Sequence, residues 1–121
     1  MFKSLKEFLR EGLIKYKVLK SEPPLLALLD SEDKWCQGNN ALDKFNKVVS
    51  SESPEAVKWC LIGATIKAYS NNKTPYIIGD VLNKLRNCLE PKGSDIALAF
   101  WNDDKKRTFK EVRSLIKKAG V

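Results

Sequence analysis

The sequence predicts an all-α fold, a compact single-domain bundle of four main helices plus one or two short ones. Three observations carry this expectation. Apolar residues recur at helical spacing in several separate segments. Ser or Thr followed by Pro or Glu marks where those segments begin. The one apolar run that reads equally well as a strand, Ile96 to Trp101, has no second run to pair with. At 121 residues the chain is one domain by length, 1–121, and large enough to bury a core without staples.

The elements follow in order. Ser4 with Glu7 forms a capping-box pattern, and Phe2, Leu5, Leu9, Leu13 and Tyr16 continue at helical spacing. This basic helix, 1–22, ends at Pro23-Pro24, because a residue before Pro avoids the α region. Leu25 to Leu29 fit one short helical turn opened by Pro24. Gly38-Asn39-Asn40 is turn chemistry, and Ala41 to Val49 fits a short helix without clear periodicity. Ser53-Pro54 reads as an N-cap followed by a first-turn proline. It starts a helix from Pro54 to Tyr69 that carries Val57, Cys60, Leu61, Ala64 and Ala68 on one face and Ile62, Ile66 and Tyr69 on another. A helix apolar on so much of its surface belongs at the centre of the domain, with Val57, Leu61 and Ala64 buried. Thr74-Pro75 repeats the start signal ahead of Ile78, Val81, Leu82, Leu85 and Leu89. Ser94 opens a short helix to Trp101, and Asn102-Asp103-Asp104 reads as a turn. Thr108 with Glu111 is a second capping box, Phe109, Val112, Leu115, Ile116 and Ala119 face inward, and Gly120 stands at the C-cap position.

Charge is unevenly spread. The net charge is +7, with residues 1–20 at +4 and residues 105–121 at +6, while the middle is mildly acidic. Cationic ends on an acidic body point to an anionic partner, either an acidic protein face or a nucleic acid. The plain alternative is a solvated lysine surface. No apolar run approaches the ~20 residues of a membrane span. Lys3, Lys6, Glu7, Arg10 and Glu11 interrupt any secretory signal core, so a cytoplasmic location is expected, the host cytoplasm for a phage-encoded chain. Three cysteines without a secretion signal are expected as reduced thiols.

The sequence contains no histidine, which removes Ser-His-Asp and Cys-His catalysis and histidine-based zinc sites. Cys36, Cys60 and Cys88 lack metal-ligand spacing, and zinc would need a fourth ligand such as Asp103. The glycines are isolated, so no phosphate loop is formed. The reading is therefore no catalytic residue, no metal and no cofactor.

Three motifs stand out: Trp35-Cys36-Gln37-Gly38, then Ala56-Val57-Lys58-Trp59-Cys60-Leu61-Ile62-Gly63-Ala64, then Trp101-Asn102-Asp103 with Thr108, Glu111 and Val112 behind it. Together they resemble a family of small domains of unknown function found in bacteriophages and bacteria. The resemblance covers roughly residues 35–119 and leaves out the basic segment 1–22. It implies a shared fold and a phage-linked setting, and no mechanism.

Residue by residue, Cys60 reads as a small core hydrophobe. Trp59 is either core packing or an exposed anchor. Trp35 reads as a plug on the core from a loop, with Gln37 bonding nearby backbone. Trp101, Asn102 and Asp103 form the most functional-looking polar group, either a turn or a site with Asp103 as acceptor and Trp101 as apolar wall. Lys105, Lys106, Arg107, Lys110, Arg113, Lys117 and Lys118 form the candidate partner surface, all pointing into solvent. The function expected is a small non-enzymatic regulator that binds a host or phage protein, such as an inhibitor of a host defence like CRISPR. The alternative is a nucleic-acid-binding accessory protein acting through its basic ends.

Overall fold

A computed structural model describes residues 23–70, 76–89 and 95–121. The expected basic helix at 1–22 and the Thr74-Pro75 and Ser94 start signals lie outside these residues. The described elements are α1 (Pro24–Leu28), a 3-10 turn (Glu32–Lys34), β1 (Ala41–Leu42), β2 (Lys58–Trp59), α2 (Leu61–Tyr69), α3 (Tyr76–Asn87), α4 (Asp95–Asp103) and α5 (Phe109–Ala119). The fold is mostly helical, but the small sheet corrects the all-α expectation.

Helix α2 is central, as its apolar surface requires: it packs against α1, α3 and α4. Leu61 and Ala64 are fully buried. Thr65 is buried too, and its hydroxyl donates to Leu61 O at 2.9 Å, so no polar group is stranded. Leu25, Leu29, Leu85, Leu98, Val112 and Ile116 close the core around it. The run Ile96 to Trp101 is resolved as helix within α4.

The helix does not begin at Pro54. Ser53 Oγ accepts from Glu55 N at 3.1 Å and Ser53 O accepts from Ala56 N at 3.1 Å, so the Ser-Pro pair closes a turn. The same side-chain-to-backbone bond that caps helices also makes turns, and here the next residues are held by a strand. Trp59 pairs with Ala41, Lys58 pairs with Leu42, and Val57 N donates to Leu42 O. Val57 is consequently 41% exposed, against the expectation that it is buried.

The segment 41–49 is a hairpin, not a short helix. Leu42 bridges Val48, and Asp43 Oδ1 accepts from Phe45 N and Lys47 N. Asn46 takes φ 64°, a left-handed conformation that Asn tolerates better than most residues. On its other side β2 is bridged in parallel by Trp35.

Helix α2 has an uncommon N-cap. Cys60 stands in extended conformation, and its sulfur accepts from Gly63 N at 3.3 Å. Gly63 is required by closeness: a Cβ there would lie 1.9 Å from the main-chain oxygen of Asn40. Both ends of helix α5 follow the sequence reading, with a reciprocal Thr108–Glu111 capping box and Gly120 at φ 74°. Backbone donation from Thr108 holds the Glu111 carboxyl below its usual range.

Candidate functional site

The three motifs meet at one point, and Asn102 is its centre. This residue is 1% exposed on the last turn of α4. Its Oδ1 accepts from Trp35 Nε1 at 2.8 Å and from Leu61 N at 3.1 Å. Its Nδ2 donates to Cys36 O at 3.2 Å and to Asp103 Oδ1 at 2.8 Å. An amide side chain has two acceptor sites and two donors, and all four are engaged.

The bonds run in a definite pattern. Leu61 N is the first amide of α2, one of the donors that a helix leaves without an internal partner. Asn102 takes that amide while the Cys60 sulfur takes the third. At the C-terminal end of α4, Gln37 Nε2 donates to both Asn102 O and Asp104 O at 2.8 Å. Asp103 Oδ1 accepts from Gly38 N at 2.9 Å, where Gly38 has φ 89°. The start of α2, the end of α4 and the 35–40 segment are thereby clasped. Asn102 and Asp103 are not in a turn; the turn is Asp104 to Arg107, closed by Arg107 N on Asp104 O at 2.9 Å.

Trp101 is not an open apolar wall. The Arg107 guanidinium lies 3.9 Å from its ring centre, and Arg107 Nε donates to Trp101 O at 2.8 Å. Arg107 also pairs with Glu111 at 3.3 Å. Trp35 packs against Phe109 with ring centres 6.2 Å apart, and Trp59 Nε1 donates to Ser51 O at 2.9 Å. The Trp59 alternatives resolve to packing, since it is 6% exposed.

Cys36 and Cys60 are buried free cysteines. Burial, with the neighbouring Cys60 second, pushes the Cys36 thiol up to about 11, and burial raises Cys60 as well. Both are therefore neutral thiols near pH 7, without the thiolate a nucleophile needs.

The cationic surface is smaller than the sequence suggests. Arg113 does not point into solvent: Nη1 donates to Leu26 O at 3.0 Å and to Leu29 O at 2.8 Å. It caps the carbonyl end of α1 and ties that five-residue helix to α5. Arg107 is held over Trp101. Lys105, Lys106, Lys110, Lys117 and Lys118 remain exposed, and none of them makes an ion pair among the described residues. Lys110, Lys117 and Lys118 share one face of α5, spaced by seven and eight residues.

A second surface was not foreseen. Phe45 is 71% exposed and Val48 66% exposed on the hairpin, beside Val57. Asp43, Lys44, Phe45, Pro54, Glu55 and Val57 line a groove of about 390 Å³. Finding it from sequence would have required recognising the hairpin, whose strands are too short to show alternation.

Among the described residues no helix is long and apolar enough to cross a membrane. No curated protein matches the chain, and no solved structure matches it. A family model matches residues 25–120, most of the chain. The chain belongs to that family, DUF6197, a family of unknown function.

Proposed function

We propose that the chain is a small non-enzymatic interaction protein that binds and modulates a host protein through an acidic face of that partner. Lys105, Lys106, Lys110, Lys117 and Lys118 are the groups that meet it. One observation carries the reading: these five cations are exposed and unpaired among the described residues, three on α5, which is capped at both ends, and two in the turn before it, while the neighbouring Arg107 and Arg113 are committed to the fold. A cluster of exposed lysines on a chain of net charge +7 attracts anionic surfaces over long range. A protein partner is favoured over a nucleic acid because the aromatics next to this row are occupied. Trp101 lies under Arg107 and Phe109 packs against Trp35, so both rings already have a partner that a stacked base would have to replace. The phage-linked setting of the sequence resemblance suggests an inhibitor of a host defence system, such as an anti-CRISPR protein.

The test compares the wild type with a Lys106→Glu, Lys110→Glu, Lys117→Glu variant in host lysate, with and without nuclease. The expected result is a protein captured by the wild type, retained after nuclease and lost with the variant, whose melting temperature is nearly unchanged. Affinity for mixed-sequence DNA or RNA that falls steeply with salt, together with nuclease-sensitive capture, would replace this reading by the nucleic-acid one.

A further inference from the structure

The two Trp-Cys dipeptides lie side by side in matched register. Trp35 and Trp59 are partners in a parallel bridge, and Cys36 N donates to Trp59 O at 3.0 Å. Cys36 and Cys60 are the residues that directly follow the two bridge partners, Cys60 in extended backbone as the N-cap of α2. Matched positions of parallel neighbours project to the same face, with strands about 4.7–4.9 Å apart. That spacing falls inside the Cα separation of about 4.4–6.8 Å that a disulfide spans. The sulfurs also turn toward consecutive residues: Cys36 Sγ donates to Asn39 O at 3.4 Å and Cys60 Sγ to Asn40 Oδ1 at 3.5 Å. Both are free cysteines.

We infer that Cys36 and Cys60 form an oxidative cross-linking site, two thiols that close to a disulfide joining the paired Trp-Cys dipeptides. The oxidant is a low-molecular-weight disulfide. Cys36 reacts first, because its sulfur bonds only the exposed turn 37–40, whereas the Cys60 sulfur also caps α2. The Cys36 thiol loses its proton, its thiolate attacks one sulfur of the oxidant, and the other half leaves and takes up a proton. Cys60 then loses its proton and attacks the Cys36 sulfur of the mixed disulfide, expelling the second thiol. Two protein thiols are oxidised by two electrons and one disulfide is reduced to two thiols. Burial keeps both groups protonated, so the reaction is slow and passes through opening of the 37–40 turn. In the product the segment 36–60, which holds the whole hairpin, becomes a closed loop.

The experiment uses the full chain incubated to constant product in graded ratios of reduced and oxidised glutathione, followed by alkylation and trypsin. Cleavage after Lys34, Lys44, Lys58 and Lys67 isolates Cys36 on peptide 35–44 and Cys60 on peptide 59–67, while Cys88 falls on peptide 87–92. The expected product is peptide 35–44 linked to peptide 59–67, reversible by reductant, with an unfolding midpoint raised by roughly 10 °C. A Cys88→Ser variant should give the same product. Linkage through Cys88, glutathione adducts that persist separately on Cys36 and Cys60, or a link formed only in denaturant would each overturn the inference. Mapping on the wild type needs neither cysteine replaced, so a poorly folding variant cannot obscure the result.

Discussion

Asn102→Ala should destabilise the chain far more than a surface substitution does. The alanine removes four hydrogen bonds at one point. Asp103 Oδ1 keeps Gly38 N as a partner, so it is not stranded. Three groups are stranded: Leu61 N, Cys36 O and Trp35 Nε1. A buried polar group left without a partner costs about 1–3 kcal/mol. Leu61 is 0% and Cys36 8% exposed, so those two carry most of that cost, while half-buried Trp35 recovers part of its bond from water. The loss works out at ~3–5 kcal/mol, a large share of the ~5–15 kcal/mol that holds a typical domain together. Urea unfolding followed by tryptophan fluorescence and by far-ultraviolet circular dichroism measures it, since Trp35 and Trp59 both lie at the clasp. Asn102→Asp keeps the acceptor but sets a second carboxylate where Nδ2 now meets Asp103 Oδ1 at 2.8 Å, so it should not rescue stability at neutral pH. A loss below ~1 kcal/mol for Asn102→Ala would falsify the clasp as the joint of the fold.

Other substitutions test neighbouring parts of the argument. Gly63→Ala should cost about 3 kcal/mol or more or prevent folding, because its Cβ would meet the Asn40 carbonyl at 1.9 Å; near-wild-type stability in urea would refute the close approach. Arg113→Ala should cost ~1–3 kcal/mol through the freed carbonyls of Leu26 and Leu29, while Lys110→Ala changes stability by less than ~0.5 kcal/mol. Equal effects in thermal melts would return Arg113 to the solvated surface. Stability should be pH-sensitive on the alkaline side through Cys36. Its folded pKa is raised from 9.0 to about 11, so the folded state holds the proton more tightly, the contribution is intact below pH 9, and it is lost as pH rises toward about 11. A Cys36→Ala chain should lack that part of the alkaline loss; an identical pH profile would show that the thiol does not contribute.

The sequence was informative where local chemistry had a single outcome. Thr108, Glu111 and Gly120 specify their helix ends because a capping box and a left-handed C-cap are completed within one turn of chain. The period of Val81, Leu85 and Leu89 identified the buried face of α3 for the same reason. Ser53-Pro54 misled because a serine oxygen on an amide two residues on serves a turn as well as a helix, and what decides between them is Leu42, whose carbonyl takes the Val57 amide from fifteen residues away across the hairpin. Two-residue strands carry no alternation to read. Cys60 as an N-cap escaped notice because thiols are weak acceptors and rank low among capping residues. The site residues were named but their roles were not: Asn102 and Asp103 were visible as an unusual polar pair, yet their partners Trp35, Cys36, Gly38 and Leu61 are brought to them only by the fold.

That convergence bears on where an activity can reside. A ligand taking the Asn102 amide would have to displace an indole, a helix amide, a carbonyl and a carboxylate together, and three of those partners would be left wanting in the interior. Loss of binding in an Asn102 variant would thus report a damaged fold before it reported a lost contact. The lysines of α5 and of the turn before it pose the opposite case. Their removal strands nothing, because each is exposed and unpaired among the described residues, so any change in partner binding there is a direct effect of charge. Stability and binding should therefore separate cleanly by position: Asn102, Gly63 and Arg113 move the unfolding midpoint, while Lys106, Lys110 and Lys117 move the association rate. A lysine variant that moved both would mean that these side chains also contribute to the fold.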